Sequence, residues 1–164
     1  MKRTPTVAAI HDLSGFGRCS LTIVMPVLSA MGLQCCPLPT AYLSTHTGGF
    51  TGNTFVDLTD AMAGAMDHWR ALGLRFSSIY TGFMGSARQM ALAADFIRDV
   101  RTPATLVVVD PVMGDHGKLY RTYTAEMCRA MALLADAADV IVPNYTEAAQ
   151  LLSLPYETVT APPP

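Results

Sequence analysis

The sequence contains little charge and no concentration of basic residues. Asp, Glu, Lys and Arg make up 15% of its 164 residues, and the net charge is −2 at neutral pH. Nucleic-acid-binding proteins present clusters or stripes of Lys and Arg, and the sequence has none. No apolar run approaches the roughly 18 residues of a membrane span, and Val7–Ile10 is too short for a signal-peptide core. We therefore expect a cytoplasmic chain that binds neither nucleic acid nor membrane.

Motifs that define several common classes of protein are also missing. The four cysteines form no C-x-x-C pair, and adjacent Cys35 and Cys36 would point to opposite faces of a strand. We therefore expect reduced, structural thiols. The G-x-S-x-G elbow of hydrolases and the G-K-[ST] of a Walker A loop are absent. Gly15 and Gly17 match part of a dinucleotide fingerprint, but Ser20 occupies its third glycine position. These absences disfavour hydrolase and NAD-dependent chemistry.

Segments typical of strands and of helices alternate along the chain. The predicted strands are Val7–Ile10, Leu33–Ala41, Ser78–Thr81, Leu106–Val109 and Val140–Val142. The predicted helices are Ser20–Met31, Asp57–Leu72, Ser86–Val100, Thr124–Ala135 and Thr146–Leu152. This alternation predicts one α/β domain over residues 1–164, with a mainly parallel sheet and helices on both faces.

Helix boundaries follow from the residues that flank the periodic segments. Ser86 and Thr146 are expected to be N-caps, because a hydroxyl can accept a hydrogen bond from a free N–H of the first turn. Gly32 and Gly73 are expected to end helices, because glycine adopts the left-handed conformation that often follows a last turn.

Glycine, small polar residues and carboxylates follow the predicted strands. These segments are HDLSGFGRCS (11–20), STHTGGFTGN (44–53), TGFMGS (81–86), DPVMGDHGK (110–118) and PNYTE (143–147). In parallel α/β sheets, ligands bind at the carboxyl ends of the strands. The pattern predicts one site along that edge of the sheet, whatever the family.

The carboxylates in these segments have two interpretations. Asp110 and Asp115 could face one metal–phosphate cluster, because Mg²⁺ prefers a few carboxylates together with waters and phosphates. Alternatively, Asp110 caps local N–H groups and Asp115 is simply exposed. Glu147 could join the same cluster, or could serve only as an acidic residue in the first turn of a helix. His11 and His46 are single histidines, for which a structural role is the more common one.

Four of these segments, in this order, resemble the ribokinase-like superfamily and, within it, the vitamin B6 kinases. Ser44–Gly48 is similar to an S-x-H-T segment of that family, and Thr81–Ser86 to an SGYLGS-type segment. Asp110–Asp115 matches DPVMGD, and Pro143–Glu147 matches P-N-x-x-E. The resemblance extends from about Val7 to Leu152 and implies a three-layer α/β/α ribokinase-like fold.

The resemblance also implies a reaction and roles for individual residues. The reaction would be γ-phosphoryl transfer from ATP, with Mg²⁺, to the 5′-hydroxyl of pyridoxal, pyridoxine or pyridoxamine. The expected substrate-binding residues are Asp12, Ser14, Thr47 and Gly48. The expected residues of the ATP and phosphate side are Asp110, Asp115, Asn144 and Glu147, with Asp115 and Glu147 contacting Mg²⁺ indirectly. Asp12 departs from the family, several members of which have a serine there that contacts the pyridine ring.

Hydroxymethylpyrimidine kinases of thiamine synthesis share the fold and are the alternative. Their first loop resembles S-D-x-S-G-G, which Asp12, Ser14 and Gly15 match in part. Their second loop contains A-Q-N-T, whose Gln pairs with an aminopyrimidine. Ser44–Thr47 lacks that Gln, which favours a B6 vitamer as substrate.

The resemblance covers only an N-terminal portion of the family's pattern. The family's G-[TA]-G-D motif, which contains the general base, does not occur in the 164 residues, so no catalytic base is assigned to this chain. One expectation is a truncated or split kinase that acts as a homodimer or with a missing C-terminal half. The other is a non-catalytic fragment that retains the vitamer pocket. In either case we expect little kinase turnover from the isolated chain.

Overall fold

The computed structural model describes residues 4–160, which have a mixed α/β fold. Its strands are β1 (Thr6–Phe16), β2 (Gln34–Thr45), β3 (Phe55–Asp57), β4 (Ser78–Thr81), β5 (Leu106–Val109), β6 (Gly114–Asp115), β7 (Lys118–Leu119) and β8 (Val140–Ile141). Its helices are α1 (Leu21–Ala30), α2 (Thr59–Ala71), α3 (Ala87–Val100), α4 (Ala125–Ala135), α5 (Tyr145–Leu152) and α6 (Tyr156–Thr160).

The main sheet of the described residues has the strand order β3-β2-β1-β4-β5-β8. All five predicted strands are present and pair in parallel, which confirms the α/β prediction. A sixth strand, β3, pairs antiparallel with β2 and forms one edge. Strands β6 and β7 form a separate two-stranded hairpin. Neither β3 nor the hairpin was predicted from the sequence.

Strands β1 and β2 are longer than predicted, ending at Phe16 and Thr45. The segment after Ile10 was assigned to a loop, but its backbone continues to pair with β2. The pairing register shifts between His11 and Leu13, which marks a bulge. Bulges are common beside functional sites because they redirect a side chain.

Helices cover both faces of the sheet, but unequally. On one face, α2, α3 and α4 bury a large core that contains Met66, Phe96 and Met131. On the other face, α1 covers a small cluster built on Ala9, Leu21 and Val24. Alternation along β1 explains the two cores, because successive side chains of a strand point to opposite faces.

The helix ends agree with the prediction in most respects. The Ser86 side chain caps α3 by accepting from the Gln89 N–H. Gly32 and Gly73 follow the last turns of α1 and α2 with positive φ, as predicted. The assignment of Thr146 as an N-cap was wrong: Asn144 caps α5 instead. Within residues 4–160, no helix has the length and apolarity that a membrane crossing requires.

Candidate functional site

A cleft of about 880 Å³ opens at the carboxyl ends of β1 and β2. The four residues predicted to bind substrate, Asp12, Ser14, Thr47 and Gly48, all line it. Its other lining residues are Cys19, Ser20, Leu43, His46, Phe50, Thr51, Gly52, Asn53, Phe55, Phe83, Val112, Tyr120, Arg121 and Thr122. The structure therefore brings one complete set of predicted residues into a single concave site.

Asp12 and Ser14 lie within β1, where the sequence predicted a loop. Both side chains are buried, and Asp12 is only 6% exposed. The Ser14 hydroxyl donates to Asp12 Oδ2 at 3.0 Å, and the Ser20 hydroxyl donates to Asp12 Oδ1 at 2.5 Å. The carboxylate is held in place by two neutral donors at the wall of the cleft.

His46 organises the loop that follows β2. Its Nδ1 accepts a hydrogen bond of 3.2 Å from the Gly48 N–H. Its ring also packs edge-on against Phe50, with the ring centroids 5.0 Å apart. Gly17 has a φ of 116°, and a side chain there would collide with the His46 ring. The loops after β1 and β2 therefore depend on each other.

His11 has a structural environment. It is buried, and its ring packs edge-on against Tyr80 at a centroid distance of 4.3 Å. Burial lowers the pKa of His11 to about 4, despite a backbone hydrogen bond at Tyr80 that acts in the opposite direction. The imidazole is therefore neutral at physiological pH.

A second group of polar residues lies at the carboxyl end of β5 and the start of α5. Burial, reinforced by the nearby Glu147 carboxylate, raises the pKa of Asp110 to about 6. Burial also raises the pKa of Glu147, and Asp115 adds to that effect, while backbone N–H donors oppose it. Like charges crowded into a partly buried region disfavour ionisation of both groups.

The start of α5 is tied to the DPVMGD segment by several hydrogen bonds. The Asn144 side chain accepts from the Thr146 and Glu147 N–H groups and donates to the Gly114 carbonyl at 2.9 Å. The Glu147 carboxylate accepts from the Met113 N–H at 3.2 Å and from the Asn144 N–H at 2.9 Å. Glu147 is thus both a member of the capping box and the contact that joins α5 to the β5 loop.

Asp115 is more exposed than Asp110 or Glu147 and lies on the β6–β7 hairpin. The turn of this hairpin places His116 and Gly117 at positive φ, as in a type I′ turn. Within residues 4–160, no three His, Cys, Asp or Glu side chains converge as a ready-made metal site. The carboxylates still suit Mg²⁺ held largely through waters and phosphate oxygens, which is the usual manner of binding for that ion.

The sequence did not predict several residues that shape the site. Tyr120 and Arg121 line the cleft because the hairpin returns the chain towards β1. Burial, and then the Asp115, Glu147 and Asp110 carboxylates, raise the pKa of the Tyr120 phenol. In the sequence, the only feature that could have predicted this hairpin is the short segment between Gly114 and Gly117.

A three-layer α/β/α arrangement with a mainly parallel sheet, and a site at its carboxyl edge, is the ribokinase-like fold. The phosphomethylpyrimidine kinase family matches residues 25–162. The chain belongs to this family, and its relatives include pyridoxal kinases.

Solved structures of relatives superpose closely on this chain. A Bacteroides thetaiotaomicron protein assigned as a phosphomethylpyrimidine kinase, with one crystal form containing pyridoxal, is 51% identical. It aligns with a TM-score of 0.91 over 94% of this chain and 54% of that protein. Pyridoxal kinase from Lactobacillus plantarum is 37% identical, with a TM-score of 0.90 over 97% of this chain and 56% of that protein.

The curated relatives show the same partial coverage. A pyridoxal kinase of Photobacterium profundum is 32% identical over 162 residues, which is 94% of this chain and 55% of that kinase. A pyridoxal kinase of Vibrio campbellii is 30% identical, and the match covers 93% of this chain and 55% of that kinase. The chain spans about half the length of the curated relatives it matches.

Proposed function

We propose that this chain forms the vitamer-binding part of a kinase that phosphorylates the 5′-hydroxyl of pyridoxal, pyridoxine or pyridoxamine with ATP. The observation that carries the proposal is the cleft of about 880 Å³ that unites Asp12, Ser14, Thr47 and Gly48. The pyridoxal-containing structure of a 51% identical relative supports the choice of substrate.

The cleft residues and the polar residues between β5 and α5 would have different roles in the reaction. Thr47 and Gly48 would contact the vitamer in the cleft, where Phe50 and Phe83 add apolar surface for its ring. Asp110, Asp115, Asn144 and Glu147 would face the ATP phosphates. When bound, Mg²⁺ would neutralise charge on the transferred phosphoryl group, which is the main requirement of this chemistry.

Within this division, Glu147 and Asn144 have positioning roles. Both oxygens of the Glu147 carboxylate accept backbone hydrogen bonds, so the side chain is better suited to contact a metal through water than directly. Asp110 has no hydrogen-bonded donor at its carboxylate among residues 4–160 and is the side chain most available to a cation.

The experiment that tests the proposal is a binding measurement on the 164-residue chain. Isothermal titration should give a saturable Kd for pyridoxal and a weaker one, or none, for hydroxymethylpyrimidine. A matched Gly48→Val variant, which fills space beside the vitamer, should lose the pyridoxal affinity. Failure of all three B6 vitamers to bind would contradict the proposal.

A hydroxymethylpyrimidine kinase is the second candidate, because the family match is to phosphomethylpyrimidine kinases. In that case the same titration would give the reverse order of affinity. The segment Thr45-His46-Thr47 argues against this candidate, because it offers no side-chain amide to an aminopyrimidine. Asn53 is a cleft residue with an amide, so Asn53→Ala should lower the pyrimidine affinity selectively if this candidate is right.

Turnover by the isolated chain is expected to be low. A positioned general base contributes about 10²–10⁴-fold, and an anion-stabilising hole contributes about 10²–10³-fold. No described residue is assigned to either role here. Vitamer binding with negligible ATP-dependent phosphorylation would favour a binding fragment. Rates of roughly 1 s⁻¹ or faster would show that a residue of this chain, such as Asp12 or Asp115, acts as the base.

A further inference from the structure

Asp12 is a buried carboxylate that faces a ligand-sized cleft. It is 6% exposed, yet it belongs to the cleft wall together with Ser14 and Ser20. Each of its two oxygens accepts one hydroxyl hydrogen bond. An ionised carboxylate has about four lone-pair sites, so acceptor capacity remains after both hydroxyls are counted.

Among residues 4–160, no positively charged side chain forms an ion pair with Asp12. Within residues 4–160, every ion pair involves other carboxylates, and neither Arg18 nor Arg121 lies within salt-bridge distance of Asp12. A buried charge that is neither paired nor fully hydrogen-bonded is costly. The arrangement therefore leaves one wall of the cleft negatively charged in the absence of a ligand.

Two irregular features of the backbone accompany the hydrogen bond between Ser20 and Asp12. The pairing of β1 with β2 is irregular at Asp12: His11 pairs with Pro39 and Leu13 with Tyr42, so Asp12 lies opposite a bulge in β2. Ser20 has a φ of 48° and a ψ of −133°, an unusual conformation for a residue other than glycine. Ser20 provides no side-chain cap to α1, and its hydroxyl is directed to Asp12 instead. Strained backbone of this kind is typical of functional sites.

We propose that Asp12 is a specificity-determining residue that pairs with a protonated nitrogen of the substrate. This inference rests on the proposed function, because B6 vitamers offer two such nitrogens. One is the ring nitrogen, which all three vitamers share. The other is the 4′-aminomethyl group, which only pyridoxamine has. A carboxylate favours the cationic form of either nitrogen, whereas a neutral serine or asparagine in the same place would not.

The two sources of positive charge predict different binding patterns. An aliphatic amine is already protonated at neutral pH, so pairing with the aminomethyl group gives pyridoxamine an advantage over pyridoxine. Pairing with the ring nitrogen gives no such advantage, and instead makes the affinity for pyridoxine rise as the pH falls. In either case the contact should contribute roughly 10- to 100-fold in Kd, as expected for a hydrogen bond between charged groups.

The test is isothermal titration of the 164-residue chain and of Asp12→Asn with pyridoxine and pyridoxamine, between pH 6 and 8. Asp12→Asn keeps the side-chain shape and removes the charge. Asp60→Asn is the control, because Asp60 is exposed on α2 outside the cleft and its substitution removes the same charge. We expect Asp12→Asn to weaken pyridoxamine binding selectively, or to weaken both ligands and abolish the pH dependence of pyridoxine binding. Asp60→Asn should do neither.

The other outcomes are equally decisive. Unchanged affinities and pH profiles in Asp12→Asn would overturn the inference and leave the proposed function intact. A uniform loss of affinity with the pH profile preserved would also overturn it, because a merely structural role predicts that result. If Asp12→Asn fails to fold by circular dichroism, the wild-type chain decides: affinities that are equal for the two ligands and do not change with pH overturn the inference. Failure of the wild-type chain to bind either ligand overturns the proposed function and this inference with it.

Discussion

Two regions along the same edge of the sheet hold carboxylates in opposite ways. In the cleft beside β1 and β2, the Asp12 carboxylate accepts hydrogen bonds from two serine hydroxyls. Between β5 and α5, Asp110 and Glu147 repel each other, and burial raises the pKa of both. In the first region a single carboxylate is held by neutral hydroxyl donors, whereas in the second the negative charges of neighbouring carboxylates act on one another.

The difference indicates what each region requires from a ligand. Between β5 and α5, the crowded carboxylates should lower the stability of the folded chain at neutral pH, because within residues 4–160 they form no ion pair with Lys or Arg. A bound cation would relieve that cost. The cleft keeps its geometry without a ligand, because Ser14 and Ser20 already fix the Asp12 carboxylate. Some substitutions remove only the charge of a carboxylate, and others remove its hydrogen bonds as well. The two kinds should therefore have different effects on the stability of the two regions.

The largest effect is expected for Glu147→Ala. The change leaves the Met113 and Asn144 N–H groups without their carboxylate acceptor, and Met113 is fully buried. We expect a loss of about 2–3 kcal/mol in the free energy of unfolding, since each buried donor left unpaired costs about 1–3 kcal/mol and relief of the repulsion with Asp110 offsets part of it. Chemical denaturation provides the measurement.

Glu126→Ala is the matched control for Glu147→Ala. Glu126 also lies in the first turn of a helix, α4, but is exposed. Its removal should cost no more than about 0.5 kcal/mol, the usual contribution of a surface charge near a helix N-terminus. Equal losses for the two variants would mean that Glu147 acts only through the helix dipole.

Asp110→Asn should stabilise the ligand-free chain. The folded-state pKa of Asp110 is about 6, above its ordinary value of 3.8, so the folded chain holds this proton more tightly than the unfolded chain. The contribution of this bound proton to the free energy of unfolding is fully present below about pH 4 and is lost as the pH rises through 6. After discounting for partial solvent screening, we expect Asp110→Asn to gain about 1–2 kcal/mol at pH 7.

Thermal unfolding of both proteins between pH 4 and pH 7 tests this prediction. The advantage of Asp110→Asn should be small at pH 4, where the wild-type side chain is largely protonated, and should grow towards pH 7. An advantage that is the same at both pH values would contradict the assigned cause, because an effect of packing does not depend on ionisation.

The elements of this fold could be predicted where burial follows a simple period. Leu106–Val109 is an unbroken apolar strand and α3 has a regular apolar stripe, and the structure confirms both. Strand β3 was missed because its three residues are all exposed, so no pattern of burial marks it. The continuation of β1 to Phe16 was missed because polar residues that line a cleft interrupt the apolar alternation.

The position of a residue at the edge of the sheet could be predicted where it directly follows a predicted strand. Asp110 and Asn144 were placed at the edge in this way, because parallel strands end at a common edge. The positions of Tyr120 and Arg121 in the cleft depend instead on the β6–β7 hairpin, which folds back over the edge of the sheet. No hydrophobic periodicity in the sequence predicts that path of the chain. Thr146 was mistaken for a cap because its hydroxyl suits that role, although it accepts from the Gly117 N–H and joins α5 to the hairpin.

Magnesium should sharpen the contrast between the two regions. If Asp110 and Glu147 face a cation, adding MgCl₂ should raise the free energy of unfolding of the wild-type chain by about 1 kcal/mol at a concentration several times Kd. NaCl at the same ionic strength is the control for screening. The gain should disappear in Asp110→Asn and persist in Asp12→Asn. A gain that survives in Asp110→Asn would place the cation elsewhere.

The smallest effect on stability is expected for Thr47→Ala, in the loop of the cleft. Thr47 is exposed and its hydroxyl makes no hydrogen bond within residues 4–160, so the free energy of unfolding should change by less than about 0.5 kcal/mol. The affinity for pyridoxal should nevertheless fall by roughly 2- to 10-fold, because one neutral hydrogen bond to a ligand contributes about 0.5–1.5 kcal/mol. Calorimetry and denaturation on the same samples separate the two quantities.

Thr158→Ala is the control and should change neither the stability nor the affinity. Thr158 is an exposed threonine on α6, remote in sequence from the residues that line the cleft. A stability loss without an affinity loss would mean that Thr47 supports the loop and does not contact the vitamer.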